Sequence, residues 1–358
     1  MFTFDFLNAR HGDSFLVRWG ANERVMLVDG GPSQVYETSL RERLSQLPVD
    51  ARGVPRIDVV CLSHVDDDHA VGVLKLLRRI QHARDDQEAD PFAVRKVWFN
   101  SVEELVDHQE EGLSASAREL VDRASAESGA VRASYNQGRA IRDAAAALGL
   151  DGNPLFDGPL LTGGAATLDQ LHVTVVAPDG TALEELADRW LTARRLQDPG
   201  VITSSYTDGS IPNLSSIVLL LKHRGSTALL TGDARGDRIL AGLRDTGLLD
   251  GARPLHVDLL KLPHHGSDRN VESDFFDQVH ADHYVISADG VKHHHPSEDT
   301  LRMLVESRDR DDEYTIHLTN RIDFAEDTLA ELHHHRRFTV GVRPPADLAE
   351  VIEVGERP

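Results

Sequence analysis

Hydrophobic and polar positions alternate at the start of the chain, where Phe2, Phe4 and Phe6 are separated by Thr3 and Asp5. Two apolar runs follow in FLVRWGANERVMLVDGG, separated by the turn residues Gly20, Ala21 and Asn22, and the second ends at Asp29-Gly30-Gly31. Period-two runs bounded by turn residues predict antiparallel strands. SLRERLSQLPV then predicts a helix, and the apolar run from Ile57 to Leu62 predicts a strand covered on both faces. AVGVLKLLRRIQHA has the spacing of an amphipathic helix, and VRKVWFN reads as another strand.

From about Ser101 to Thr167 the chain turns to Ala, Arg and Glu at helical spacing, broken by glycines and by DGNPLFDGP, which predicts a helical insertion. Strand pattern resumes at LHVTVVAP, followed by a helix around Leu183 to Leu196 and the polar loop QDPGVITSSYTDGSIPN. SSIVLLLKH and STALLTGDA pair across an Arg224-Gly225 turn, and a helix from Arg238 to Leu243 leads to HVDLLKLPHHGSD, ADHYVISADG, a helix after HHHPSEDT, and YTIHLTN. Strands and helices alternate throughout, so the fold class is α/β with stacked layers.

Composition narrows the function. At 358 residues the chain can bury a large core; its single cysteine, Cys61, forms no internal disulfide. The start lacks a secretory signal and no segment approaches ~18 consecutive apolar residues, so the expectation is a cytoplasmic protein with no membrane partner. A net charge of −21 repels polyanions, although 19 histidines and clustered aspartates could hold divalent cations that offset it.

Four apolar runs end in similar chemistry: Val28 at Asp29, Leu62 at Ser63-His64, Leu230 before Gly232-Asp233, and Leu262 at Pro263-His264-His265-Gly266. Polar groups at the ends of buried strands tend to line one edge of an α/β fold. Imidazole mixed with carboxylate, without thiolate, suits zinc, manganese or iron. In HVDDDH, His64 and Asp66 form one pair, Asp68 and His69 a second, and Asp233 could bridge two ions ~3.5–4 Å apart.

Each residue also has a bland reading. The Asp-rich turn could be a solvated helix N-terminus, although TGD and PHHGS in order favour metal. Asp13 and Asp29 are balanced between turn and site roles. Neighbours on a strand face opposite ways, so His264 is favoured as ligand with His265 close by. His293, His294 and His295 read as a polar loop, and His82, His108, His223 and HHHRR from His333 to Arg337 as surface. His172 packs on a strand and Cys61 is a small core residue. Lys261 is an edge-strand lysine or, preferably, faces a phosphate.

HVDDDH at 64–69 resembles the HxHxDH signature of the metallo-β-lactamase-fold hydrolases, with Asp66 in place of the second histidine. Closer still is the soluble hydrolase domain of the bacterial DNA-uptake protein ComEC and its stand-alone relatives. Its motifs are matched in order by RHGDS (Gly12, Asp13), VDGG (Asp29), SHVDDDH, PNLSSIVLLL (Asn213, Ser216), LLTGDA (Asp233), LKLPHHGS (Lys261 to Ser267) and HHHPS (His295). The resemblance covers Met1 to about Asn320 apart from the insertion at 101–167. It implies one four-layer αββα sandwich domain over residues 1–358, with 321–358 as a C-terminal extension. His11 replaces a usual glutamine, Asn8 an aspartate, and Asn213 falls near a third histidine of the wider fold, so one site should be more oxygen-rich and manganese-like.

The resemblance implies a metal-dependent hydrolase with two divalent ions, zinc or manganese, acting on a phosphodiester of nucleic acid or nucleotide type through a metal-bound hydroxide. His64, Asp66, Asp68, His69, Asp233 and His264 are the expected ligands. Asp68 would orient or deprotonate the water, while Lys261, His265 or His295 would stabilise or protonate the leaving oxygen. Two alternatives stand beside it. One is hydrolysis of a neutral ester, thioester or lactam; the other is a metal-stabilised binding module in a multi-protein system such as defence, with the insertion facing a protein partner.

Overall fold

The computed structural model describes residues 1–21, 24–100, 129–180, 182, 212–334 and 336–355. The strands are β1 (Phe2–Leu7), β2 (Phe15–Trp19), β3 (Arg24–Val28), β4 (Arg56–Ile57), β5 (Val59–Cys61), β6 (Ala93–Val94), β7 (Val97–Trp98), β8 (Ala165–Leu168), β9 (Leu171–Ala177), β10 (Val218–His223), β11 (Ser226–Leu230), β12 (Leu255–Lys261), β13 (Val279–Ile286), β14 (Thr315–Leu318), β15 (Thr339–Val342) and β16 (Ala349–Val354). They build a six-stranded sheet ordered β16-β1-β2-β3-β5-β7 and an eight-stranded sheet ordered β15-β14-β13-β12-β11-β10-β9-β8.

Three apolar clusters define the layers. Phe2, Phe4, Phe6, Met26, Val28, Val59, Cys61, Leu219, Leu221 and Leu259 fill the space between the sheets. Val25, Leu27, Val60 and Leu62 turn to the opposite face, under helix α2 (Asp67–Asp85) and helix α3 (Gly129–Ala147). On the outer face of the eight-stranded sheet, Val257, Leu260, Tyr284 and Ile286 pack against α4 (Gly236–Asp245), α5 (Ser273–Gln278), α6 (Glu298–Glu306) and α7 (Asp323–Leu332). The result is an αββα sandwich.

Strand β1 is antiparallel to its neighbours, as its alternation predicts, and all six of its residues are buried, the polar Thr3 and Asp5 included. Its polar face is closed by Asp5, fully buried and ion-paired to Arg18 at 2.9 Å and Arg43 at 2.6 Å. Two carboxylate–guanidinium contacts offset the cost of removing that charge from water. The segment after Asn320 supplies strands to both sheets: β15 pairs parallel with β14, and β16 pairs antiparallel with β1.

Of the stretch read as a helical insertion, residues 101–128 lie outside the described residues and 129–147 form α3. The helix expected near Leu183 to Leu196, the polar loop after it as far as residue 211, and His108 also lie outside them. Among the described residues, no helix is long and apolar enough to cross a membrane. Cys61 is a core residue between the sheets, as its apolar setting predicts. His223 is a correction: it is 1% exposed, its Nδ1 3.1 Å from the Gln170 carbonyl and its ring against Phe2, because β10 is a covered central strand.

Candidate metal centre

Strand ends β3, β5, β11 and β12 and the N-terminus of α2 meet at one edge of the sandwich. Close backbone packing brings them together. A Cβ on Gly72 would lie 1.9 Å from the Gly30 carbonyl oxygen, so α2 can rest on the Asp29-Gly30 corner only because both positions are glycine. Gly12 touches the Asp68 carbonyl in the same way, and Asp13 N–H donates to that carbonyl at 3.2 Å. The GD and DGG motifs are therefore close-approach devices that carry Asp13 and Asp29 into the site.

Four imidazoles are fastened at Nδ1. Ser63 gives its hydroxyl proton to Asp29 at 2.7 Å, which leaves its oxygen to accept from His64 Nδ1 at 3.1 Å. His69 Nδ1 donates to the same Asp29 carboxylate at 2.8 Å. His265 Nδ1 donates to the Ser287 carbonyl at 2.8 Å, and His264 Nδ1 to Asn270 Oδ1 at 2.5 Å. With Nδ1 so engaged, each ring turns its Nε2 lone pair inward, the tautomer a metal-binding histidine requires.

The four Nε2 atoms converge on Asp233, which is 2% exposed. Its Oδ1 lies 3.3 Å from His69 Nε2 and 3.6 Å from His265 Nε2; its Oδ2 lies 3.5 Å from His264 Nε2 and 3.8 Å from His64 Nε2. One carboxylate thus serves two groups of donors. Asp68 joins the Oδ1 group, 3.8 Å from His265 Nε2, and Asp66 joins the Oδ2 group, 3.8 Å from His64 Nε2.

These residues fit divalent cations. His64, His69 and His265 Nε2 and Asp233 Oδ1 are buried without a hydrogen-bond partner, a state that costs ~1–3 kcal/mol per group unless something else satisfies it. Tetrahedral ligands ~2.0–2.2 Å from an ion stand ~3.3–3.6 Å apart, close to the separations here and longer than hydrogen bonds. The all-nitrogen-and-oxygen donor set suits zinc or manganese.

Sequence spacing misplaces two features. His264 and His265 do not lie on a strand, because β12 ends at Lys261; both adopt left-handed backbone, at φ 43° and 57°. That turn aims both rings at Asp233, so strand alternation does not separate them. His265 is the more buried, and His264 holds the rim with 23% of its side chain exposed. Lys261 is the second correction. It neither faces an outside phosphate nor sits exposed: it is fully buried, ion-paired to Asp13, and donates to the Gly232 carbonyl at 3.2 Å. Asp13 meets the geometric criterion for a ligand, since one donor atom from each of Asp13, His69, Asp233 and His265 lies within 4.8 Å of the others. The Lys261 ammonium already occupies it.

Charge is distributed unevenly. Burial, then the neighbouring His69, lowers the His64 pKa to about 4. Burial would also lower His265, but the Asp233 and Asp13 carboxylates outweigh it and raise its pKa to about 9. His69 is raised in the same way by Asp233 and Asp29. Asp233, buried, and Asp68, partly buried, are kept below the usual carboxylate range by the imidazoles around them. His295 lies at the mouth of the site, where burial and then His264 and His265 lower its pKa to about 3. Asn213 lies in the turn Pro212–Ser215 and reaches the site indirectly: its carbonyl accepts from Ser216 N–H, and the Ser216 hydroxyl accepts from Asp233 N–H at 3.3 Å.

Residues 7–183 match the family model described as the metallo-beta-lactamase superfamily. The chain has the metallo-β-lactamase fold. The match takes in HVDDDH and ends before Asp233, Lys261 and the His264-His265 pair. The metallo-β-lactamase fold is one that hosts metal-dependent hydrolases, in keeping with the candidate metal site here. Over 186 residues the chain is 24% identical to ComE operon protein 3 of Bacillus subtilis, covering 52% of this chain and 22% of that protein. It is 32% identical over 110 residues to mouse microtubule-associated protein 1A, covering 31% of this chain and 3% of that protein. The chain therefore spans under a quarter of either relative. Among solved structures, the metallo-β-lactamase fold protein YhfI of Bacillus subtilis aligns over 98% of this chain and 99% of its own, at 12% identity and a TM-score of 0.41.

Proposed function

We propose that the protein is a phosphodiesterase that acts on nucleic acid or a nucleotide. The observation that carries this reading is Asp233, whose two oxygens each face a separate pair of imidazole Nε2 atoms. A carboxylate so shared is what a pair of cations needs between them. In this reading His64, Asp66 and His264 would hold one cation, Asp68, His69 and His265 would hold the other, and Asp233 would serve both. When bound, the cations supply the Lewis acidity that makes water nucleophilic near neutral pH and offsets charge on the attacked phosphoryl group.

The chain's own residues do the rest. Asp68, whose pKa already lies below the usual carboxylate range in the metal-free protein, accepts the proton lost by the attacking water and returns it to the leaving oxygen as the phosphorus–oxygen bond breaks. Asp29 and Ser63 hold His64 and His69 in the ligand tautomer, and Lys261 neutralises Asp13 behind them. His295 is neutral at pH 7, so it serves as a hydrogen-bonding group and not as an acid.

The test is elemental analysis of the purified protein coupled to assays on bis(p-nitrophenyl) phosphate, single-stranded DNA and a β-lactam, with Asp233→Ala as control. Two divalent ions per chain and phosphodiester turnover that the control loses are expected. Turnover of the β-lactam alone, or a control as active as the parent, refutes the reading.

A further inference from the structure

From the metal centre a cleft opens outward, lined by His11, His265, Asp289, His293 and His295. Its floor is His265, so whatever enters it also meets the cations' place. Beyond the floor the imidazoles continue in an arc. His264 and His295 ring centres are 5.6 Å apart, His295 and His293 5.9 Å, and His293 and His11 6.1 Å. Lys292 ends the arc, its ammonium donating to His11 Nε2 at 3.3 Å.

The arc is built in advance. Gly290 is left-handed at φ 70°, and a Cβ there would lie 2.7 Å from Ile322. Ala288 N–H donates to Thr319 Oγ1, Asn320 Nδ2 donates to the Ala288 carbonyl, and Ser297 N–H donates to the Gly266 carbonyl. Asp289, the carboxylate on this loop, accepts from Val291 N–H at 3.0 Å. His295 Nδ1 is buried without a partner. The cleft presents a row of imidazole groups and the Asp289 carboxylate, with the Lys292 ammonium at the outer end of the arc beside His11.

From this arrangement we infer that Lys292, His11 and His293 form a subsite for a second anionic group of the substrate, a phosphate next to the one attacked. The inference rests on the phosphodiesterase reading and narrows it to substrates with two phosphates in succession, a short oligonucleotide or a phosphorylated dinucleotide. A neutral ester would leave Lys292 unused. An acceptor-rich group with one or two negative charges uses the Lys292 ammonium and the imidazole N–H donors together.

The test compares dithymidine phosphate with and without a 5′-phosphate, which share one scissile bond and differ by one anion. Calorimetric titration into the zinc-loaded protein reads affinity, and turnover is measured separately. The extra phosphate should tighten binding roughly 3- to 10-fold, as expected for one partly exposed charge contact. Lys292→Ala should remove that difference, and His11→Phe or His293→Phe should reduce it. Equal affinity for the two compounds, failure of both to bind, or a difference that survives Lys292→Ala overturns the subsite. Turnover without the affinity difference leaves the phosphodiesterase standing and removes the subsite; the difference without turnover does the reverse.

Discussion

Lys261→Met isolates the most costly electrostatic arrangement in the site. Lys261 and Asp13 are both 0% exposed, and each is the other's opposite charge. Replacing the ammonium by an apolar chain of similar length leaves the Asp13 carboxylate without its counter-charge. Loss of one partner of a buried pair costs ~3–5 kcal/mol, whereas replacing both by neutral groups can approach zero. Of the cations around Asp13, Lys261 contributes most; the protonated His265, 3.4 Å from Asp13 Oδ1, remains after the substitution but is shared with Asp233, which places the expected cost at the low end of that range. Lys261→Met should therefore destabilise the protein by ~3 kcal/mol or more, and Lys261→Met with Asp13→Asn by much less than the two single changes added. Urea denaturation in chelator, so that metal binding does not contribute, measures all four proteins. A single-mutant cost under ~1 kcal/mol, or additive single effects, would refute the argument that the ammonium exists to hold Asp13.

Other outcomes follow from the same geometry. Asp29→Asn, which never touches the cation positions, should weaken zinc affinity roughly 10- to 100-fold by loosening His69 and Ser63, measured by competition with a chromophoric chelator. Gly72→Ala should destabilise the fold more than Gly355→Ala, because the first drives a methyl into the Gly30 carbonyl and the second meets nothing within 4 Å; thermal melts compare them. The His265 pKa is raised in the folded, metal-free protein to about 9 from 6.5, so its stabilisation is complete below pH 6.5 and is lost as pH rises through about 9. Zinc must displace that proton and the one on His69, so calorimetric heats of loading at pH 7 should vary with the ionisation enthalpy of the buffer; identical heats in all buffers would contradict this.

Sequence patterning reveals the layers because the sandwich repeats a simple rule: strands buried on both faces read as apolar runs, and β3, β5, β10 and β12 do so. The HVDDDH turn is legible for the same reason, since polar residues so dense at a strand end have few structural uses. What spacing does not reveal is direction. His264 and His265 face one way because of a left-handed turn, which alternation along a strand does not anticipate. Lys261 reads as exposed or ligand-facing because its partner, Asp13, is 248 residues earlier and joins it only through packing of Gly12 on Asp68. Asp29 is similarly ambiguous in sequence, where a DGG corner and a histidine-orienting carboxylate look alike. β15 and β16 carry little apolar pattern because each borders solvent, with Val340 and Val351 exposed.

The pairing of Phe2–Leu7 with Ala349–Val354 has a consequence for biosynthesis. On the ribosome Phe2–Leu7 must wait for Ala349–Val354, a segment made far later, so its outer edge stays unpaired while the residues between them emerge. Unsatisfied strand edges recruit other chains. The burial of alternate phenylalanines beside that edge makes the delay hazardous, and chaperone dependence during translation is the expected cost of closing the sheet with its two most distant segments.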